Sequence, residues 1–69
     1  MRAVDIAHAA LCEAGRRDLA DEILWFEDDG GYLEVDSEIL TEDEWQLVNR
    51  AESLARASLS LPPIERATR

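Results

Sequence analysis

Apolar residues recur along this chain with two periods. Over residues 3–14 the period is helical. Ala3, Val4, Ile6, Ala7, Ala10, Leu11 and Ala14 share one face, while Asp5, His8, Ala9, Cys12 and Glu13 share the other. Gly15 follows where a left-handed residue is wanted to close a helix. Asp18 then stands as an N-cap for a second, short helix, with Asp21 and Glu22 placed to complement its dipole. Leu19 and Ile23 would lie on its buried side.

The period changes to two around Asp28-Asp29-Gly30-Gly31, a strong turn sequence. Ile23-Leu24-Trp25-Phe26 before it is β-branched and aromatic. Tyr32-Leu33-Glu34-Val35-Asp36 after it alternates. These segments predict a hairpin pairing about 23–28 with 31–36, with Ile23 and Trp25 on one face and Leu24 and Phe26 on the other. A lone hairpin is marginal in water and must pack on helices. Thr41-Glu42-Asp43-Glu44 is a capping box that opens the longest helix. Its predicted stripe is Leu47, Val48, Ala51, Leu54, Ala55, Ser58 and Leu59, with Gln46, Asn49, Arg50, Ser53 and Arg56 facing away. Pro62-Pro63 stops it near Ser60. The expected order is ααββα. That is a single α+β domain over 1–61, followed by a flexible tail over 62–69.

Charge changes the picture. The 69 residues carry a net charge of −9. Residues 18–49 hold twelve acids and no base. A chain this acidic lacks the basic footprint that direct nucleic-acid binding needs, and it is repelled by anionic membranes. No apolar run reaches the ~20 residues of a membrane span, and the N-terminus has no apolar core of a signal peptide. One cysteine excludes an internal disulfide. A cytoplasmic setting is expected, and a monomer.

Chemistry-bearing residues are few. His8 and Cys12 lie at i, i+4 with Asp5 one turn earlier, a spacing open to a metal pair or to thiol catalysis. A zinc site wants about four ligands, and there is one His and one Cys, so a plain helix flank is the stronger reading. The Asp-Asp-Gly-Gly loop fails the EF-hand pattern, because either glycine places Trp25 or Phe26 at the first ligand position. Paired carboxylates alone do not make a hydrolase without a cleft. No cofactor, metal or enzymatic activity is expected.

The acids that helix dipoles leave unexplained sit on the hairpin. Like charges crowded there repel, and surfaces normally mix signs. Glu27, Asp28, Asp29, Glu34, Asp36, Glu38, Glu42, Asp43 and Glu44 therefore form a candidate face for a cationic partner, with Trp25 or Tyr32 as possible apolar anchors.

The length, the acidic middle and the stretch Ile39-Leu40-Thr41-Glu42-Asp43-Glu44-Trp45-Gln46-Leu47-Val48 resemble the small acidic anti-CRISPR proteins of bacteriophages. The resemblance covers at most the second half of the chain. It implies a non-enzymatic, DNA-mimicking inhibitor in the cytoplasm of an infected bacterium. The implied partner is a basic nucleic-acid-binding protein, such as a type I CRISPR Cascade subunit that reads the PAM or holds target DNA. These proteins share no common motif, so the acids named above rest on charge alone. The alternative is an antitoxin-like or adaptor module that docks through an apolar helix face exposing Leu47 or Leu54.

Overall fold

A computed structural model describes residues 2–36 and 39–64, apart from the side chain of Asp29. Helix α1 spans Ala3–Glu13, and α2 is one turn, Arg17–Ala20. Strands β1, Ile23–Phe26, and β2, Tyr32–Val35, form an antiparallel hairpin, and α3 runs Glu42–Ser58. The α+β order ααββα follows the sequence pattern.

Local chemistry sets the helix ends. Gly15, at φ +79°, lets the Gly15 N–H donate to Cys12 O and the Arg16 N–H to Leu11 O, which satisfies the last carbonyls of α1. At the other end of the chain, Ser60 takes the same left-handed conformation at φ 61°. Its N–H donates to Ala57 O, and the Leu61 N–H donates to Arg56 O, so α3 closes two residues before the predicted Ser60. Thr41 caps α3 with the predicted box: Glu44 N–H donates to Thr41 Oγ1 at 3.2 Å, and Thr41 N–H to Glu44 Oε1 at 2.9 Å. The expected Asp18 cap is not formed. The cap position of α2 is Arg16, and Asp18 lies inside the first turn, held by the Arg16 guanidinium.

The hairpin is shorter than predicted. Phe26 pairs with Tyr32 and Ile23 with Val35, leaving residues 27–31 as the loop, with a 3-10 turn over Asp28–Gly30. Gly31, at φ +132°, lies directly against the indole of Trp25, where an added Cβ would overlap the ring. The chain makes a five-residue loop in place of a tight Asp-Gly turn, and Trp25 packs against Gly31 at its end. Gly31→Ala combines that overlap with a backbone conformation that L residues rarely adopt. It is expected to cost at least about 2 kcal/mol, a fall of roughly 10 °C in Tm by circular dichroism. An unchanged Tm would contradict this packing.

The core lies where α1 crosses α3 and both meet the inner face of the hairpin. Its buried apolar residues are Ala3, Ala7, Leu11, Leu19, Ala20, Leu33, Val48, Ala51 and Ala55. The alanines let the helix backbones approach closely. Ile23 and Trp25 point inward to this core, whereas Leu24 and Phe26 face out.

The buried face of α3 corrects the predicted stripe. It runs through Val48, Ala51, Glu52, Ala55 and Arg56, rotated by about 60° from the apolar arc. Leu54 and Leu59 are exposed, and Arg56, predicted to face away, is buried. The cause is the free edge of β2. The Leu33 N–H points away from β1 and donates to Glu52 Oε2 at 2.8 Å. Arg56 Nη1 donates to the Gly31 carbonyl, and its Nε donates to the Pro62 carbonyl at 2.7 Å. A buried strand edge needs polar partners, and α3 supplies them with one carboxylate and one guanidinium. The predicted tail therefore begins at a residue tied to α3, and residues 65–69 lie outside the described residues.

Candidate functional site: the outer face of the hairpin

Alternation and register define this face. Phe26 opposes Tyr32, and Leu24 opposes Glu34. The Asp36 N–H donates to Glu22 O at 2.9 Å, which extends the ladder by one more pair on the same side. From base to tip the outer face thus reads Glu22 and Asp36, then Leu24 and Glu34, then Phe26 and Tyr32. Glu27 and Asp28 follow at the tip, both exposed.

The middle of the face is apolar. Leu24 is 49% exposed and Phe26 40%. Phe26 and Tyr32 stack with ring centroids 5.2 Å apart and planes inclined by 21°. The stacking fixes two aromatic rings at the surface, with acids on either side. Trp25, named as a possible anchor, lies instead on the inner face against the core and Gly31. Tyr32 is on the outer face, and its partner there is Phe26. Trp45, too, is packed partly against the core.

The nine candidate acids divide by what they touch. Glu27, Asp28, Glu34, Asp36, Glu42 and Asp43 form no ion pair among the described residues. Glu42 and Asp43 are exposed in the first turn of α3, where the helix dipole favours them. Glu44 belongs to the fold: it completes the Thr41 box and accepts from Arg16 Nη2 at 2.7 Å. Glu38 and the side chain of Asp29 lie outside the described residues.

Arg16 ties three elements together. It grips Asp18 of α2 through Nε at 3.0 Å and Nη2 at 2.9 Å, and reaches Glu44 of α3. These hydrogen bonds push the guanidinium pKa still higher, Asp18 contributing most. The same contact holds Asp18 below its ordinary value. Glu44 is held below its ordinary 4.5, first by the Thr41 backbone N–H and then by Arg16. A depressed folded pKa gives a contribution that is complete above the unfolded value and is lost as pH falls through the folded one. The Tm advantage of the native chain over Glu44→Gln should therefore shrink between about pH 6 and pH 3, as read by thermal melts. A difference that stays constant across that range would contradict the assignment.

His8, Cys12 and Asp21 meet where α1 passes α2. His8 Nε2 donates to Asp21 Oδ1 at 3.1 Å, and Cys12 Sγ lies 3.6 Å from His8 Nδ1. The histidine thus presents opposite ring nitrogens to two partners, and the three groups do not converge on a point. Among the described residues no group of three or more His, Cys, Asp or Glu is placed to hold a metal ion. Asp5 is not part of this contact.

Two concavities flank the domain. One, of about 240 Å³, lies between α1 and α3 and is lined by Ala10, Leu11, Ala14, Leu47, Ala51 and Leu54, with Glu13 and Arg50 alongside. The other, of about 220 Å³, includes Arg2, Val4, Trp25, Glu27 and Leu59. Both are smaller than the roughly 300–1,000 Å³ of typical ligand sites. No helix among the described residues is long and apolar enough to cross a membrane.

Sequence reasoning located the acids but missed the outer aromatic pair. Alternation separated Leu24 and Phe26 from Ile23 and Trp25 without saying which pair faces the core. The five-residue loop then sets Phe26 opposite Tyr32. No protein-family model matches the chain, and no curated protein or solved structure shows significant similarity to it.

Proposed function

We propose that this chain is a non-enzymatic inhibitor that binds a basic protein surface used for nucleic acid. The observation that carries this reading is the set of acids on and around the hairpin that pair with no arginine among the described residues. Glu27, Asp28, Glu34 and Asp36 surround an exposed apolar patch, and Glu42 and Asp43 add charge at the start of α3. The α3 dipole accounts for Glu42 and Asp43, whereas the four hairpin acids form no ion pair among the described residues. Mutual repulsion costs stability, and a cationic partner would relieve it. Duplex DNA carries one charge per ≈ 1.7 Å of axis, and an acidic hairpin competes for the surfaces that neutralise such a density. The mechanism is occupancy: the protein covers the basic groove, and nucleic acid cannot enter.

The resemblance to phage anti-CRISPR proteins makes a type I Cascade subunit the first partner to test. The test is a binding assay with purified Cascade and a PAM-bearing duplex, with and without this protein. Loss of duplex binding in proportion to added protein supports the reading. Undiminished duplex binding at saturating protein removes Cascade as the partner.

A second reading has its own observation. Leu54 is 46% exposed and borders the α1–α3 concavity with Leu47. An adaptor would dock there through apolar contact, and its binding would be indifferent to salt.

A further inference from the structure

The hairpin is covered by helices on its inner face, and the outer face of such an antiparallel sheet is ordinarily polar and solvated. On the outer face Leu24 and Phe26 remain exposed beside Tyr32. We infer that this face receives one amphipathic, arginine-bearing helix of the partner protein, the kind of helix that otherwise lies in a DNA groove. The inference rests on the anionic-face reading for the partner's charge and adds the shape and orientation of what docks.

The dimensions fit one helix. A two-stranded sheet has strands about 4.8 Å apart, so its face matches a single helix of about 10 Å diameter lying along the hairpin. From the Glu22–Asp36 pair to the Phe26–Tyr32 pair is four residues, about 13 Å at 3.3 Å per residue. A helix covers that span in about nine residues at 1.5 Å each. Apolar side chains near the middle of that span meet Leu24. A basic side chain beside them meets Glu34, opposite Leu24, while those toward one end meet Asp36 and those toward the other meet Glu27 and Asp28. Arginine suits the tip best, because its guanidinium stacks on aromatic faces and also pairs with carboxylates.

The same charges select against other occupants. A second copy would set acids against acids across the face. Nucleic acid would do the same with phosphates. A neutral apolar helix would bury the patch but leave the flanking carboxylates without counter-charge. A DNA-reading helix already carries the required combination, because such helices are basic on the side that meets phosphate and base edges.

The test uses the full chain and two synthetic helical peptides of equal length and equal arginine count. One carries leucines on its arginine face, and in the other serines replace those leucines. Binding is followed by amide chemical shifts of the ¹⁵N-labelled protein. The amphipathic peptide is expected to bind at least tenfold tighter, with the largest shifts at Leu24, Phe26, Tyr32 and Glu34. Leu24→Ser with Phe26→Ser should remove the tenfold preference while residual charge-driven binding persists. Shifts measured on the unmodified protein keep the test decisive should that variant unfold. Equal affinity for both peptides, or shifts centred on Leu47 and Leu54, overturns the inference. If both peptides bind equally and salt weakens both, the anionic-face reading stands and only the helix docking fails. If neither peptide binds, both fail together.

Discussion

Changing Glu27, Asp28, Glu34 and Asp36 to lysine together should abolish partner binding, with a loss of at least about 100-fold, and leave the fold intact. All four side chains form no ion pair among the described residues, and none lies in the core. Changing them breaks no ion pair among the described residues. The native hairpin carries unrelieved repulsion, so Tm should hold or rise. Placing lysines against a basic surface costs several kcal/mol. A control separates this local effect from net charge. Asp5→Lys with Glu13→Lys makes the same change in charge as Glu34→Lys with Asp36→Lys, but on exposed positions of α1. The α1 pair should alter affinity less than about threefold, and the hairpin pair more than about tenfold. Equal losses from the two pairs would mean that overall charge, and not this face, governs association.

Arg56→Met should destabilise the protein by about 3 kcal/mol, because the buried Gly31 carbonyl and the partly buried Pro62 carbonyl lose a charged donor together. The guanidinium donates to the Gly31 carbonyl at the hairpin loop and to the Pro62 carbonyl beyond α3. It therefore clamps the hairpin loop and the segment that follows α3 onto one helix. A domain of this size has only about 3–10 kcal/mol in total. The expected fall in Tm is roughly 15 °C. Glu52→Gln should be milder, since an amide oxygen can still accept the Leu33 N–H. A shift under about 3 °C for Arg56→Met would show that water replaces the guanidinium at little cost. Partner binding, measured where the variant is still folded, should change little, because Arg56 lies away from the outer face of the hairpin.

Local chemistry made much of this fold legible. Gly15 closes α1 because glycine alone takes the left-handed conformation without strain, and Thr41 with Glu44 writes its cap into four residues. Alternation in Tyr32–Val35 set the strand. What stayed hidden depends on neighbours distant in sequence. Arg56 reads as outward-facing from its place on the helix, and the pattern assigns Glu52 to neither face. Their burial follows from the free edge of β2, which no helical period encodes. The loop is wider than a tight turn, and at its end Trp25 packs against Gly31 from the strand. Asp18 looked like a cap by type, but Arg16 claims its carboxylate.

The candidate site was legible as charge and not as shape. A stretch of 32 residues without a base is visible in the sequence, and the hairpin gathers part of it on one face. Glu44 could have been set aside from the start, since a carboxylate already committed to a capping box is not free for a partner. The Phe26–Tyr32 stack required the register, which fixes which residues oppose each other.

The most direct measurement is affinity capture with the tagged protein from bacterial lysates that contain type I CRISPR effectors. Bound proteins are eluted by a salt gradient or by added duplex DNA and identified by mass spectrometry. The account predicts a nucleic-acid-binding protein that leaves at moderate salt and is displaced by DNA. A captured partner that resists both salt and DNA would contradict it and move the binding surface to Leu54 and the α1–α3 concavity.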